Sequence, residues 1–155
     1  MKILPLYATP QHAQQVTDWI WQAFGTSDSR DFFASIVATS QREGELPLTF
    51  VAIEGEKLVG TVGLWRCDLI SRQDLYPWLA ALYIDENQRG RGLGEKLQQH
   101  VIDYARTLGY PQLYLYSACK DYYERFGWEY IGDGLDYPDK AVHLYRMTPE
   151  VNTLK

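Results

Sequence analysis

Apolar positions along this chain recur with two different periods, and the change from one to the other marks out its elements. In "GLGEKLQQHVIDYARTLG" the residues Leu93, Leu97, Val101, Tyr104 and Leu108 follow one another at steps of four, four, three and four. That spacing is one face of an amphipathic helix, which Gly109 and Pro111 close. The run "WLAALYI" is apolar at every position, so it predicts a central strand covered on both faces, and it is far too short to span a membrane. "LTFVAIEGEKLVGTVGLW" holds two strand-like runs joined by "EGEK", the pattern of a hairpin with a tight polar turn.

The flanking segments extend this order. "KILPLYA" reads as a first strand, and "TPQHAQQVTDWIWQAFG" as a helix with Thr9 at its N-cap, Pro10 at its first position and Gly25 just past its end. "SDSRDFFASIVATSQRE" predicts a second helix with Phe32, Ile36 and Val37 on one face. Beyond the glycine-rich helix, "QLYLYS" is a short strand, and "SACKDYYERFG" a short helix between Ser117 as N-cap and Gly127 as C-cap. "WEYIG" and "AVHLYRM" are the last strands. The predicted order is β α α β β β α β α β β in one domain, residues 1–149, with a short tail at 150–155.

Composition narrows the function. With 155 residues, 46% apolar and 23% charged, the chain is an ordinary globular domain able to bury a core without disulfides. A formal charge of -5 argues against a nucleic-acid surface, which needs concentrated Lys and Arg, and suits a cationic or neutral partner. Cys67 and Cys119 have no CxxC spacing and no histidine at ligand distance, so neither a zinc site nor a disulfide framework is expected. The opening "MKILPLYATP" is too short an apolar run for a secretory segment. Together these features predict a soluble cytoplasmic protein without a metal or a membrane anchor.

The chemistry concentrates in "QRGRGLGEKL". A loop that binds phosphate ahead of a helix needs amides turned toward one point, no Cβ in the way, and the positive end of the helix dipole. Gly90, Gly92 and Gly94 meet the steric need, and Arg89 and Arg91 add positive charge. A glycine-rich turn with two solvated arginines would read the same way. The dinucleotide pattern GxGxxG and the P-loop pattern GxxxxGK[ST] are both absent, which removes the best support for NAD, ATP or GTP.

"LYIDENQRGRGLGEKL" resembles the acyl-CoA-binding motif of the GNAT superfamily of N-acetyltransferases, R/Q-x-x-G-x-G/A after a central strand, with Arg89, Gly92 and Gly94 at its fixed positions. "DYYERFGWEYIG" is similar to the same family's FYxxxGF segment, with Tyr123 at the tyrosine, Gly127 at the glycine and Trp128 in place of phenylalanine. The resemblance covers nearly the whole chain and implies an α+β fold, an α/β/α sandwich. Its mixed, mostly antiparallel sheet would have about seven strands, helices on both faces and a splayed central strand pair. It also implies that acetyl-CoA is the cosubstrate. The pyrophosphate would lie on the amides of Arg89, Gly90, Arg91, Gly92, Leu93 and Gly94, and the pantetheine arm would pair with the backbone of Leu82, Tyr83 and Ile84.

Transfer of acetyl from a thioester to an amine needs a neutral nucleophile, a polarised carbonyl and a protonated leaving group. A lysine-like amine has a pKa of about 10.4, so only about one molecule in 10³ is neutral near pH 7. A base or a desolvating pocket has to offset that handicap. A backbone N–H of the strand from Leu79 to Ile84 can meet the oxyanion if a distortion frees it from the sheet. The resemblance assigns the general acid to Tyr123, whose phenol stays protonated near pH 7; as alternatives, Tyr123 is a core aromatic or Tyr122 takes the role.

No acid lies inside "WLAALYI", so the base is not visible; Asp85 and Glu86 read as a solvated turn, and His143 is a further candidate. The acceptor site is expected between "FGTSDSRDF" and "GDGLDYPDK", where Asp31, Asp133 and Asp136 are candidate ligands for a cationic amine. The predicted acceptor is a small-molecule amine. A protein N-terminus or lysine is the enzymatic alternative, and a non-catalytic acyl-CoA sensor the alternative of another class. A homodimer is compatible with such a fold, with no interface legible.

Overall fold

The structure, a computed structural model, describes residues 1–149; the tail predicted for 150–155 lies outside the described residues. The strands are β1 (Lys2–Pro5), β2 (Leu48–Glu54), β3 (Lys57–Trp65), β4 (Trp78–Ile84), β5 (Leu113–Ser117), β6 (Glu129–Asp136) and β7 (Lys140–Met147). The helices are α1 (Ala13–Phe24), α2 (Arg30–Thr39) and α3 (Leu93–Thr107). All seven strands form one sheet in the order β1-β2-β3-β4-β5-β7-β6, antiparallel except where β5 runs parallel to β4.

Alternation along β2 shows how the sheet is covered. Phe50 and Ala52 enter a core with Leu97, Val101 and Ala105 of α3, whereas Val51 and Ile53 enter a second core with Val16, Ile20 and Val37 of α1 and α2. Successive side chains of a strand point to opposite faces, so α3 covers one face and the α1–α2 pair the other. The four-residue steps of α3 are its buried stripe: Leu93, Leu97, Val101 and Ala105 are all buried. A fully buried Leu97 contributes roughly 2 kcal/mol of transfer free energy.

Two irregularities at the centre of the sheet set up the site. The parallel pair β4–β5 is held by the single register Trp78↔Tyr114, with the Tyr114 N–H bonded to the Pro77 carbonyl at 3.0 Å. Beyond it the ladder stops and the two strands part toward Ile84 and Ser117, the splay that the resemblance implies. In β4 the register slips between Thr61↔Tyr83 and Gly63↔Ala80, which leaves Ala81 and Leu82 opposite Val62 alone. Ala81 sits at φ 51, a left-handed conformation that costs an alanine about 1 to 2 kcal/mol.

Several local expectations change. Thr9 makes no capping bond; a 3-10 turn, Pro10–His12, precedes α1, and the Thr9 hydroxyl is buried without a partner among the described residues. The segment predicted as a short helix is helical only as a 3-10 turn, Tyr123–Phe126, because Asp121 at φ 70 breaks the helical path ahead of it. Ser117 does not cap a helix but accepts the Cys119 N–H at 3.1 Å as β5 ends. Val37 is buried on α2, whereas Phe32 is exposed. Strand β6 runs on to Asp136, so Asp133 and Asp136 belong to a strand and not to a loop.

Candidate active site

Where α3 begins, its first turn faces the splayed end of β4 across a groove of about 530 Å³. Leu82, Tyr83, Ile84, Arg89, Gly90, Gly92, Leu93 and Gly94 all line this groove; Arg91 does not. Gly92 caps α3 at φ 76, and among the described residues no atom beyond its chain neighbours lies within 4 Å of the place its Cβ would occupy. The same is true of Gly90 at φ 83, so both side-chain positions are space belonging to the groove. The first bond of the helix is from the Lys96 N–H to the Gly92 carbonyl at 3.2 Å. The amides of Leu93, Gly94 and Glu95 precede it and carry the positive end of the helix dipole.

The two arginines of the motif have different fates. Arg89 donates from Nε to the Ile84 carbonyl at 3.0 Å, and its guanidinium lies 5.3 Å over the Tyr83 ring, beside the groove. Arg91 turns away to the carboxylate of Glu54 at the end of β2, with a further hydrogen bond to Gln88. That ion pair holds the Glu54 carboxyl below its ordinary range. Its head group thus ties the loop to β2 in this structure and does not face the groove.

On the far wall of the groove stand Tyr122, Tyr123 and Phe126. Tyr122 is an exposed residue, edge-on to Tyr123 at 4.8 Å, with its hydroxyl 3.7 Å from the Cβ position of Gly94. Tyr123 is more enclosed, packed against Trp128 and Tyr145, and burial pushes its phenol up to about 12. Trp128 explains the departure from the usual phenylalanine, since its Nε1 donates to the buried Gln98 of α3 at 3.1 Å. The bond fastens the tyrosine turn to the helix that forms the cradle.

Behind the splay lies a second and larger space, a cavity of about 1150 Å³ between α2 and the β6–β7 hairpin. Ala81 and Leu82 of the bulge reach it from β4, Tyr116 and Ser117 from β5, and Asp68 from the loop after β3. Leu82 and Tyr123 line both the cavity and the groove. The two spaces thus share a boundary where β4 is bulged and where the enclosed phenol stands.

Asp68 does not stand out in the sequence, where it lies in the polar stretch "RCDLISRQDLYP". The residue is half-buried and stands at the cavity wall. Burial, with Asp136 adding repulsion, raises Asp68 to about 7, and no hydrogen bond or ion pair reaches it among the described residues. Burial and the same two aspartates also raise the phenol of Tyr116.

Of the predicted amine ligands, Asp136 lines the cavity and Asp31 and Asp133 do not. Asp31 lies exposed in the first turn of α2, where a carboxylate suits the helix dipole. Asp133 accepts from the Tyr130 hydroxyl at 2.6 Å and pairs with His143 Nδ1 at 2.8 Å, which holds its carboxyl low. His143 is engaged there, away from the groove and the cavity, and Asp85 and Glu86 also lie outside both. No group of His, Cys, Asp and Glu among the described residues could hold a metal ion, and no helix among them is long and apolar enough to cross a membrane.

Comparison with known proteins agrees with this architecture. An aminoglycoside 6'-N-acetyltransferase complexed with coenzyme A superposes with a TM-score of 0.75 at 16% identity, covering 99% of each chain. The aminoglycoside 6'-N-acetyltransferase from Enterococcus faecium gives 0.74 at 16% identity, again over 99% of each chain. An acetyltransferase from Streptococcus agalactiae gives 0.70 at 23% identity over 95% of this chain and 97% of its own. These identities carry the fold alone. No curated protein matches the sequence. The model of the acetyltransferase (GNAT) family matches residues 13–128, and the chain belongs to that family.

Proposed function

We propose that this protein transfers the acetyl group of acetyl-CoA to the primary amine of a small molecule, by direct attack with both substrates bound. The observation that carries the reading is that groove and cavity are both lined by Leu82 and Tyr123. A thioester laid along the groove would present its carbonyl where an amine in the cavity can reach it.

In this account the pyrophosphate rests on the amides at the start of α3, in the space left open by Gly90 and Gly92. The neighbour complexed with coenzyme A supports this, since a chain of the same fold accepts that molecule. The pantetheine arm lies along Leu82, Tyr83 and Ile84, where the splay leaves the edge of β4 without a strand partner. The bulge at Ala81 and Leu82 interrupts the ladder and supplies an amide for the developing oxyanion. The amine nitrogen attacks the carbonyl carbon, a C–N bond forms, and the C–S bond breaks. Tyr123, held protonated by its burial, gives its proton to the departing sulfur and regains one from the attacking amine through solvent.

Walls on two sides, α2 and the β6–β7 hairpin, favour a small molecule over a polypeptide, which needs a groove open at both ends. The test is thiol release from acetyl-CoA across a panel of small amines and lysine peptides. We expect release with small amines and its loss in Gly92→Glu. Tight binding of acetyl-CoA with no release for any acceptor would replace this reading with that of a sensor.

A further inference from the structure

We infer that the cavity takes a monoamine carried on an apolar body, with its ammonium group held between the carboxylates of Asp68 and Asp136 and the apolar body on the rim formed by Phe24, Phe32, Ile70 and Leu135. The inference rests on the acetyl-transfer reading for what then happens to the amine, but the binding itself does not.

Two independent observations converge on it. Asp68 lines the cavity as a half-buried carboxylate with no hydrogen bond and no ion pair among the described residues, and Asp136, whose charge repels it, lines the same cavity. Two carboxylates that repel each other at one cavity wall favour a cation placed between them. The positive groups of the cavity do not supply it. Arg66 lies over the Tyr76 ring at 5.9 Å, and Lys140, although the cross-strand partner of Asp136, forms no ion pair with it. Among the described residues Asp136 accepts only the adjacent Tyr137 N–H at 3.0 Å, and Asp139 adds a third acid to the wall.

The second observation is the rim. Phe24 is 55% exposed, Phe32 63%, Ile70 72% and Leu135 50%, and all four line the mouth of this one cavity. Large apolar side chains left exposed together mark a binding surface. A polyhydroxylated, polycationic sugar would need a hydrogen-bonding partner at each of its groups, and this rim offers carbon. An aromatic or aliphatic amine satisfies both halves of the site: one charge for the aspartates and one apolar body for the rim.

The test is calorimetric titration with phenethylamine, its uncharged alcohol analogue and kanamycin, run beside steady-state thiol release with the same compounds. For phenethylamine we expect saturable binding, at least about tenfold tighter than the alcohol or kanamycin. Asp68→Asn and Asp136→Asn should each weaken it roughly 10- to 100-fold, with acetyl-CoA affinity unchanged as the check on folding. Phe32→Ser with Leu135→Ser should weaken phenethylamine by about tenfold, about what two exposed contacts contribute. Tighter binding of kanamycin, or aspartate variants that bind phenethylamine as the parent does, would overturn the assignment while leaving acetyl transfer intact. Phenethylamine binding without thiol release would retain the pocket and remove the transfer reading.

Discussion

Leu82 on the bulged strand β4 and Tyr123 on the 3-10 turn after β5 both line two spaces, the groove at the start of α3 and the cavity under α2. Neither residue is near the other in sequence; the parting of β4 from β5 brings them to a common boundary. If chemistry happens at that boundary, Tyr123→Phe should lower kcat by roughly 10- to 10³-fold with little change in KM for acetyl-CoA. Because its phenol is raised to about 12, the rate should show no fall from its ionisation below about pH 10. Steady-state thiol release over that range checks both statements, and an unchanged kcat removes Tyr123 from the reaction.

Gly92 is the point of least tolerance in the cradle. A Cβ there meets no described residue beyond its chain neighbours, so Gly92→Glu should fold, at a cost of about 1 to 2 kcal/mol for the left-handed backbone. Its carboxylate would occupy the phosphate space, and KM for acetyl-CoA should rise by at least about 100-fold, near 3 kcal/mol. Fluorescence titration of the cosubstrate, paired with a melting curve, separates the two effects.

The bond from Trp128 to Gln98 should matter for stability more than for chemistry. Trp128→Phe leaves the buried Gln98 amide without its partner and opens space against α3. A loss of about 2 to 4 kcal/mol is expected, while Gln98→Leu with Trp128→Phe should recover part of it. Urea unfolding of the single and double variants measures this, and additive losses would deny the coupling.

Asp68 should give the protein, without added amine, an unusual dependence on pH. Its carboxyl, raised to about 7, holds a proton in the folded chain that the unfolded chain has released from about pH 4 upward. Stability from this group is therefore full below about pH 4 and is lost as pH rises through about 7. Asp68→Asn abolishes the loss, so the variant should be more stable than its parent at about pH 8, by about 2 to 4 kcal/mol. Its advantage should shrink at about pH 5. Urea midpoints at both values decide it, and parallel curves would place the carboxyl in solvent.

How far the sequence reaches can be seen in particular residues. The four-residue steps of α3, the apolar run of β4 and the glycines ahead of α3 are local patterns, and each forms the element expected from it. The parting of β4 from β5 follows from a family resemblance, since no residue spacing encodes it. What escapes is set by contacts distant in sequence. Arg91 is captured by Glu54, thirty-seven positions away, and Asp133 by His143 on the neighbouring strand. Asp68 resembles ordinary loop polarity because its meaning depends on Asp136 and on the enclosing cavity, neither visible from "RCDLIS". Helical periodicity also misleads in "SACKDYYERFG", where aromatic packing and the left-handed Asp121 prevail over propensity.

The most direct measurement of the central claim is the chemical fate of the acetyl group. Incubation of the protein with acetyl-CoA and phenethylamine, followed by mass spectrometry, should yield the N-acetylated amine and free coenzyme A in equal amounts, with both lost together in Gly92→Glu. Free coenzyme A without acetylated amine, or acetyl-CoA bound and returned intact with every amine offered, would contradict it.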